Sequence, residues 1–580
     1  KHAAGVIISS DIIEDVCPIV IDKHDKAVAA FSMKPMEALG HIKFDVLGVS
    51  VMDKIWEIVP FLPEGRSIHD MKDQDVWKDL SEGDVKGVFQ LELQKRWTKK
   101  LKPENIDHLA ALLAIIRPGV VEAIEKGKSM TEWYIDRKNG KEPNPAVHDA
   151  IDPILNKTHG VIVYQETAMK LANVVAGFDL KEADNLRKAI GKKDTALMAE
   201  VKTKFLNGSK TINTVPYELS ERIFDNIEKS QRYSFNASHS YSYAYNAYYT
   251  AYCKHYAPLK FYEVYLNHAK SKPDTIKEMK ELINDAKMHG IEVLGPSLAN
   301  FNYKFTMNVD LNHIHFGISN IKEVGEEAHK LMELREELGG QFKDLSWIEI
   351  LIHTHIKKIN KKAMKGLILC GALDGKNNKT HRSQMFHEYM IFKDLTDKEI
   401  AYVCNNYEAS KSLSYHFEKL INNHKIAKNR LVKVKDLKTN IDKPPSSTRD
   451  TEFSISSDER NYMGISITNY EFLEEEFSIV TSTCLDVAMG KNLGHQTICG
   501  YVSDVREHKI AKPESKLYGQ KMAFVCLEDS SGEFKSIIAF PEIYNEYKSS
   551  LVKSNKIIVS GKVESRQGEY SLICDRIIQA

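Results

Sequence analysis

The chain has 580 residues, and at roughly 100–200 residues per domain it divides into about three to five folding units. Apolar residues make up 42% and charged residues 28%, which excludes a disordered or collagen-like chain. The 80 Lys and Arg balance the 80 Asp and Glu, so a uniformly basic polyanion binder is excluded while local phosphate-binding patches are not.

The first 50 residues read as strands and turns, starting with the β-rich His2–Ser9. Lys1 stands in mid-pattern, as expected of a piece of something larger, and Asp11, Glu14 and Asp15 interrupt any signal-like apolar segment. In His41–Gly48 a period of two puts Ile42, Phe44 and Val46 on one strand face and His41, Lys43 and Asp45 on the other. Lys43 and Asp45 then lie about 7 Å apart, a spacing suited to a triphosphate beside a divalent metal. A half-buried strand with one wet face fits the same pattern.

From about Val51 to Tyr265 apolar residues recur at helical spacing. The longest apolar run, about Leu109–Ile116, is far short of the ~18 residues of a membrane span. It is followed by Arg117-Pro118-Gly119, which presents Arg117 at a helix end, either to a ligand or simply to solvent. Arg187, Lys188, Lys192 and Lys193 place four cations in seven residues. Clustered Arg and Lys near a helix end neutralise a phosphate chain or form a solvated basic face. Further on, Ser234–Ser240 contains His239, and Tyr241, Tyr245, Tyr248 and Tyr252 follow at helical spacing. That stripe suits helix packing or stacking on a base; His239, expected in the turn before the helix, is the better functional candidate.

Further helices and Gly-containing hairpins run to about Lys435. Lys357, Lys358, Lys361, Lys362 and Lys365 give five lysines in nine residues, and Lys425–Lys438 carries six cations and one acid. Both suit nucleic-acid phosphates or a solvated surface. Thr439–Glu459, with Pro444 and Pro445, reads as a linker. After about Gly494 five short strands are expected: Thr497–Val505, Met522–Leu527, Phe534–Phe540, Ile557–Val563 and Ser571–Ile577. Five strands in so short a stretch suit an OB-fold barrel, with a sandwich as the other architecture. The eight cysteines are scattered with no CxxC pair, which disfavours a disulfide framework or zinc site and suits a reducing cytoplasm.

An ordered series of words, His2–Ile8, Lys43–Gly48, Gly87–Glu92, Ile116–Gly119, Gly160–Glu166, Leu186–Lys193, Phe235–Ser240, Ala251–Pro258 and Gly317–Gly325, resembles the bacterial C-family replicative DNA polymerases, in their C-terminal portion. The resemblance implies a multidomain α+β chain: the last part of a mixed palm sheet (1–50), mainly helical fingers (51–300), a helix-hairpin-helix domain associated with duplex and clamp (301–438), a linker region (439–494) and an OB-fold barrel (495–580). It implies template-directed nucleotidyl transfer from dNTP to a primer 3′-hydroxyl with two Mg²⁺ ions. Asp45 matches a catalytic, metal-binding carboxylate and Lys43 its basic neighbour. Arg117, Arg187, Lys188 and His239 match positions facing the triphosphate, with Lys192 and Lys193 beside them, and the lysines from Lys357 to Lys365 fall to DNA.

The implied partners are primer-template DNA, dNTP, a missing N-terminal polymerase segment, a sliding clamp and other replisome subunits, in the cytoplasm and without a membrane. The sequence departs from the family at Lys188, where a second arginine is usual, at Ala237 in place of Lys, and at Glu323 in place of a hairpin glycine. No clamp-binding word is evident near residues 376–450, and such drift suits a phage or prophage version. Two of three catalytic aspartates are expected upstream of Lys1, so this polypeptide alone is expected to be inactive. A non-catalytic DNA-binding scaffold and a complementing subunit of a split polymerase are the alternatives.

Overall fold

The computed structural model describes residues 5–9, 12–22, 25–45, 48–192, 195–230, 234–377, 380–409, 411–467, 479–511, 514–529, 531–553, 555–566 and 569–579. Contacts divide it into Lys1–Pro60 and Phe61–Ala580. In the first unit strand Gly5–Ile8 pairs antiparallel with Ile42–Asp45, Gly5 opposite Asp45 and Ile7 opposite Lys43. A second antiparallel pair joins Ile19–Ile21 to Ala27–Ala29. The expected strand is therefore present, but its apolar face is open: Val6, Ile8 and Phe44 are all exposed. Cross-strand partners share a face, so one register puts all three on the same side.

The second unit is organised around the Tyr-rich helix Ala237–Tyr256. Ala244, Ala247, Tyr248, Ala251 and Tyr252 are buried along one side, and Ser240 donates to the carbonyl of Ala110 at 2.6 Å. Small residues let this helix lie close against Ile106–Ile115. The stripe is mainly packing. Tyr248 stacks on Trp77 and donates to the Asp70 carbonyl, while the Tyr252 hydroxyl accepts from the Ser67 amide. Tyr241 donates to Asp107, and Tyr245 is exposed. A second core lies among helices Gln165–Ala176, Leu180–Lys192, Thr195–Ile212 and Tyr217–Ser230, centred on Phe178, Phe205 and Phe224.

Near its C-terminal end the Tyr-rich helix buries a lysine. Lys254 is 2% exposed and pairs with Asp84 and, at 2.7 Å, with Asp285. His289 donates to Asp84 at 2.8 Å, and Tyr262 donates to Asp285 at 2.7 Å. Asp84, Asp285 and His289 converge closely enough to ligate a metal, but the Lys254 ammonium already supplies both carboxylates with a cation. Burial alone would raise the pKa of Asp84; the His289 hydrogen bond and the Lys254 charge outweigh it and hold the group at about 2.

Beyond residue 290 come the helical hairpin Trp347–Ile356 and Lys361–Leu369, and then the barrel. Thr439–Glu459, read as a linker, is helical at both ends and open between them, residues 442–447 all being exposed. It comprises the end of helix Lys428–Asp442, a 3-10 turn and part of helix Glu452–Met463, and Glu459 is buried against Arg382 at 3.0 Å. Proline density marked a turn between packed helices, and the burying contacts come from residues far away in the sequence. The five expected strands are all present, as Gly494–Lys509, Lys521–Glu528, Glu533–Ala539, Lys556–Arg566 and Glu569–Gln579, in a closed barrel. The third and last strands close it in parallel, with Ile537 opposite Leu572. The ladder shifts at Ser560/Gly561, where a Cβ on Gly561 would lie 2.1 Å from the Ile573 carbonyl oxygen. The eight cysteines are unbridged, and among the described residues no helix is long and apolar enough to cross a membrane.

Lys254→Met should cost about 3–5 kcal/mol at neutral pH, because it strands two carboxylates in the interior. Asp84 has a depressed folded-state pKa, so its contribution is present above the ordinary aspartate value of ~3.9 and is lost as pH falls through about 2. Urea unfolding of both proteins should therefore give a stability difference that shrinks below about pH 4.

Candidate functional site

The turn after helix Ile106–Ile115 lifts Arg117 out of the core. Pro118 disfavours helical geometry at the residue before it, and Thr131 caps the Ile115 carbonyl at 2.6 Å. The Arg117 Nε donates to the Ala114 carbonyl at 3.2 Å, and the guanidinium lies 4.1 Å over the Phe235 ring. Partial burial lowers its pKa, yet a guanidinium stays charged at neutral pH.

Phe235 begins an aromatic series. Its ring meets His239 edge-on at 5.3 Å, His239 lies 4.1 Å from Tyr243, and Tyr243 lies 5.1 Å from Phe89. His239 is exposed and the other three rings are half-buried. It occupies the first turn of the Tyr-rich helix and not the turn before it, because Asn236 is the cap and accepts the His239 amide at 2.8 Å. One cation beside a row of open rings can stack on a base or sugar and meet a phosphate.

The word Gly160–Glu166 holds this array. The Phe235 amide donates to the Val163 carbonyl, and the Gln165 amide donates to that of Phe235, each at 2.9 Å. Glu166 accepts from the Asn236 side chain at 3.0 Å and the Ala237 amide at 2.9 Å. A carboxylate at a helix N-terminus satisfies otherwise unpaired amides and opposes the positive end of the helix dipole. Phe89, Glu166, Phe235 and Tyr243 were not singled out from the sequence, although the first three lie inside the recognised words.

Arg187 and Lys188 lie on helix Leu180–Lys192, where Asp184 engages both, at 2.7 and 2.9 Å. These pairs pull the pKa of Asp184 down. Being solvent-exposed, they add little to stability and exchange readily for a phosphate. The Lys192 side chain, Lys193, and the side chains of Lys43 and Asp45 lie outside what the structure describes.

The lysine run spans the hairpin Trp347–Ile356 to Lys361–Leu369. Lys357 pairs with Glu337 at 2.6 Å, and the Lys365 ammonium lies 5.5 Å from the Phe386 ring centre. Lys358, Lys361 and Lys362 are exposed, with Lys358 at φ 52° and Asn360 capping the second helix. Glu323 has φ 69°, a left-handed conformation that favours glycine, so the departure noted there falls on a glycine-type backbone position.

Comparison with known proteins accounts for these words. The family model described as bacterial DNA polymerase III alpha subunit finger domain matches residues 66–213, and that of the bacterial DNA polymerase III alpha NTPase domain matches 1–48. A helix-hairpin-helix motif matches 290–385, and an OB-fold nucleic acid binding domain matches 496–579. DNA polymerase III subunit alpha of Pasteurella multocida is 31% identical over 585 residues, covering 97% of this chain and 47% of that protein. The chain is similar to bacterial DNA polymerase III alpha subunits along 97% of its length.

Two further alpha subunits match over shorter stretches. That of Aquifex aeolicus is 37% identical over 381 residues (64% of this chain, 32% of that protein), and that of Thermus aquaticus is 35% identical over 386 residues (64% and 30%). The chain thus spans between about a third and about half the length of these relatives. The aromatic array extends past the finger match, since Phe235, His239 and Tyr243 follow residue 213.

Glu166→Ala should destabilise the protein by about 1–2 kcal/mol through loss of its two hydrogen bonds to Asn236 and Ala237 at the helix start, and Glu166→Gln by less. Urea unfolding monitored by circular dichroism measures both.

Proposed function

We propose that this chain serves template-directed DNA synthesis as the nucleotide- and DNA-handling part of a polymerase III alpha-type enzyme. The observation that carries the reading is the array Arg117–Phe235–His239–Tyr243, the first three of which lie in words shared with polymerase III alpha subunits. In this reading Arg117 and His239 contact the incoming dNTP. Arg187 and Lys188, with Lys192 and Lys193, neutralise its phosphates as they release Asp184. Lys358, Lys361 and Lys362 hold the DNA backbone.

Lys43 and Asp45 belong to the reacting centre. An aspartate is the kind of oxygen donor that a hard divalent ion such as Mg²⁺ takes, and Asp45 would be one ligand. When bound, such ions favour the attacking hydroxyl and stabilise the leaving phosphate. A single matched carboxylate does not complete a two-ion site. The remaining carboxylates are expected from a further palm segment, and a sliding clamp and other replisome subunits remain expected partners.

Arg117→Ala should weaken binding of a fluorescent dNTP by about tenfold or more, the equivalent of one charged hydrogen bond at about 1.5–3 kcal/mol. DNA binding with no nucleotide binding at all would support the scaffold reading instead. Primer extension by the 580-residue polypeptide alone should be undetectable; turnover that Asp45→Ala abolishes would overturn that expectation.

A further inference from the structure

The helix Lys95–Leu101 and the residue after it carry five cations in eight residues, Lys95, Arg96, Lys99, Lys100 and Lys102, with no acid among them. In a chain with zero net charge this is a strong local concentration. Buried Thr98 and Leu101 anchor the helix, and Lys102 ends it at φ 54°. Lys95/Lys99 and Arg96/Lys100 form two i,i+4 rows, with Cβ atoms about 5–6 Å apart within each. Both Arg96 and Lys100 also lie near the Trp97 ring, at 5.4 and 5.1 Å from its centre.

Beside this helix lies a polar cavity of about 800 Å³, lined by six lysines against Glu104, Glu132 and Asp136. Two of those acids pair with lysines of the same wall, Glu104 with Lys138 at 3.2 Å and Asp136 with Lys128 at 2.8 Å, and Glu132 closes the capping box at Ser129, while Lys99, Lys100 and Lys102 line the helix side. Burial and the charge of Lys95 lower the pKa of Lys99 against the opposing pull of Glu569 and Glu82, and a bound anion relieves the repulsion between the two lysines.

We propose that this cavity and the helix Lys95–Leu101 form a phosphodiester-backbone site in the finger region, sharing no residue with the aromatic array or with the lysine hairpin. The inference rests on the reading of the chain as a DNA-handling protein and adds to it where the strand is held. Contacts of this type carry no base specificity and release counterions on binding, so affinity falls steeply with salt.

The test is fluorescence anisotropy on the full chain with labelled oligothymidylate and a labelled duplex across a potassium chloride series. Lys95→Gln/Arg96→Gln/Lys102→Gln changes three exposed side chains, and an unchanged thermal midpoint shows that the fold is intact. The slope of log affinity against log salt should become shallower by about 0.7–0.9 for each lost contact, up to about 2–3 in all, on whichever DNA form the site holds. Wild-type binding with an unchanged variant slope on both DNAs would overturn this site alone. Absence of wild-type binding to either would overturn the DNA reading and the site with it. Calorimetric titration with inorganic pyrophosphate separates the other source of phosphate: binding that the triple variant loses, with DNA slopes unchanged, would overturn the backbone assignment.

Discussion

The arrangement of the aromatic array depends on fixing the helix Ala237–Tyr256 at both ends, by Glu166 at its start and Lys254 near its close. At the start, Glu166 and Asn236 occupy the first amides, so the chain leaves Phe235 in the short backbone bridge to Val163–Gln165 and enters the helix with His239 one turn on. Near the end, Lys254 is sealed between Asp84 and Asp285. Burying an ammonium costs several kcal/mol before pairing, so the network adds little net stability over a well-packed apolar substitute. What it does impose is register. A helix slipped by one residue would carry Lys254 away from both carboxylates and Asn236 away from its cap. The spacing of Arg117, Phe235 and His239 is inherited from that register.

The sequence was most informative where one short-range periodicity decides the outcome. All five barrel strands were legible because alternation of apolar and polar residues is a local signal, and a closed barrel follows from strand number and turn spacing. It was least informative where the partner is remote. Lys254 reads as an ordinary surface lysine near a helix end, and only folding brings Asp84, 170 residues earlier, against it. The burial of Glu459 at the end of the stretch Thr439–Glu459 was illegible for the same reason, since Arg382 and helix Lys361–Leu369 meet it from outside. Of the candidate site, Arg117 and His239 were readable from the family words, but the ring that joins them was not, because cation–ring contact across more than a hundred residues has no local signature.

Runs of like charge behave similarly. The four cations ending at Lys193 follow Asp184, which one helical turn brings onto Arg187 and Lys188. Lys357 is held by Glu337 across a hairpin. A count of cations therefore overstates the potential offered to a phosphate, and zero net charge makes such cancellation the rule. The segment Lys95–Lys102 has no acid of its own, and of the acids in the adjoining cavity wall Glu104 and Asp136 pair with Lys138 and Lys128 while Glu132 closes a helix cap.

The helix Thr275–Met288 carries this electrostatic logic to the barrel. Asp285 faces Lys254, Glu278 and Glu281 hold Lys86 at 2.9 and 3.0 Å, and Lys280 reaches the other way to Glu528 and Glu533 of the barrel, each at 2.8 Å. Burial opposes the charge on Lys280, but the two glutamates raise its pKa nonetheless. The strut thus presents acids toward the Tyr-rich helix and the turn before Gly87, and toward the barrel it sets Lys280 against two glutamates and Glu281 against Lys535 at 3.4 Å, a pattern of opposite charges that specifies orientation. The barrel is seated by the same helix whose last turn holds Lys254, so a displacement of that helix would be felt at Lys254 and at the barrel together.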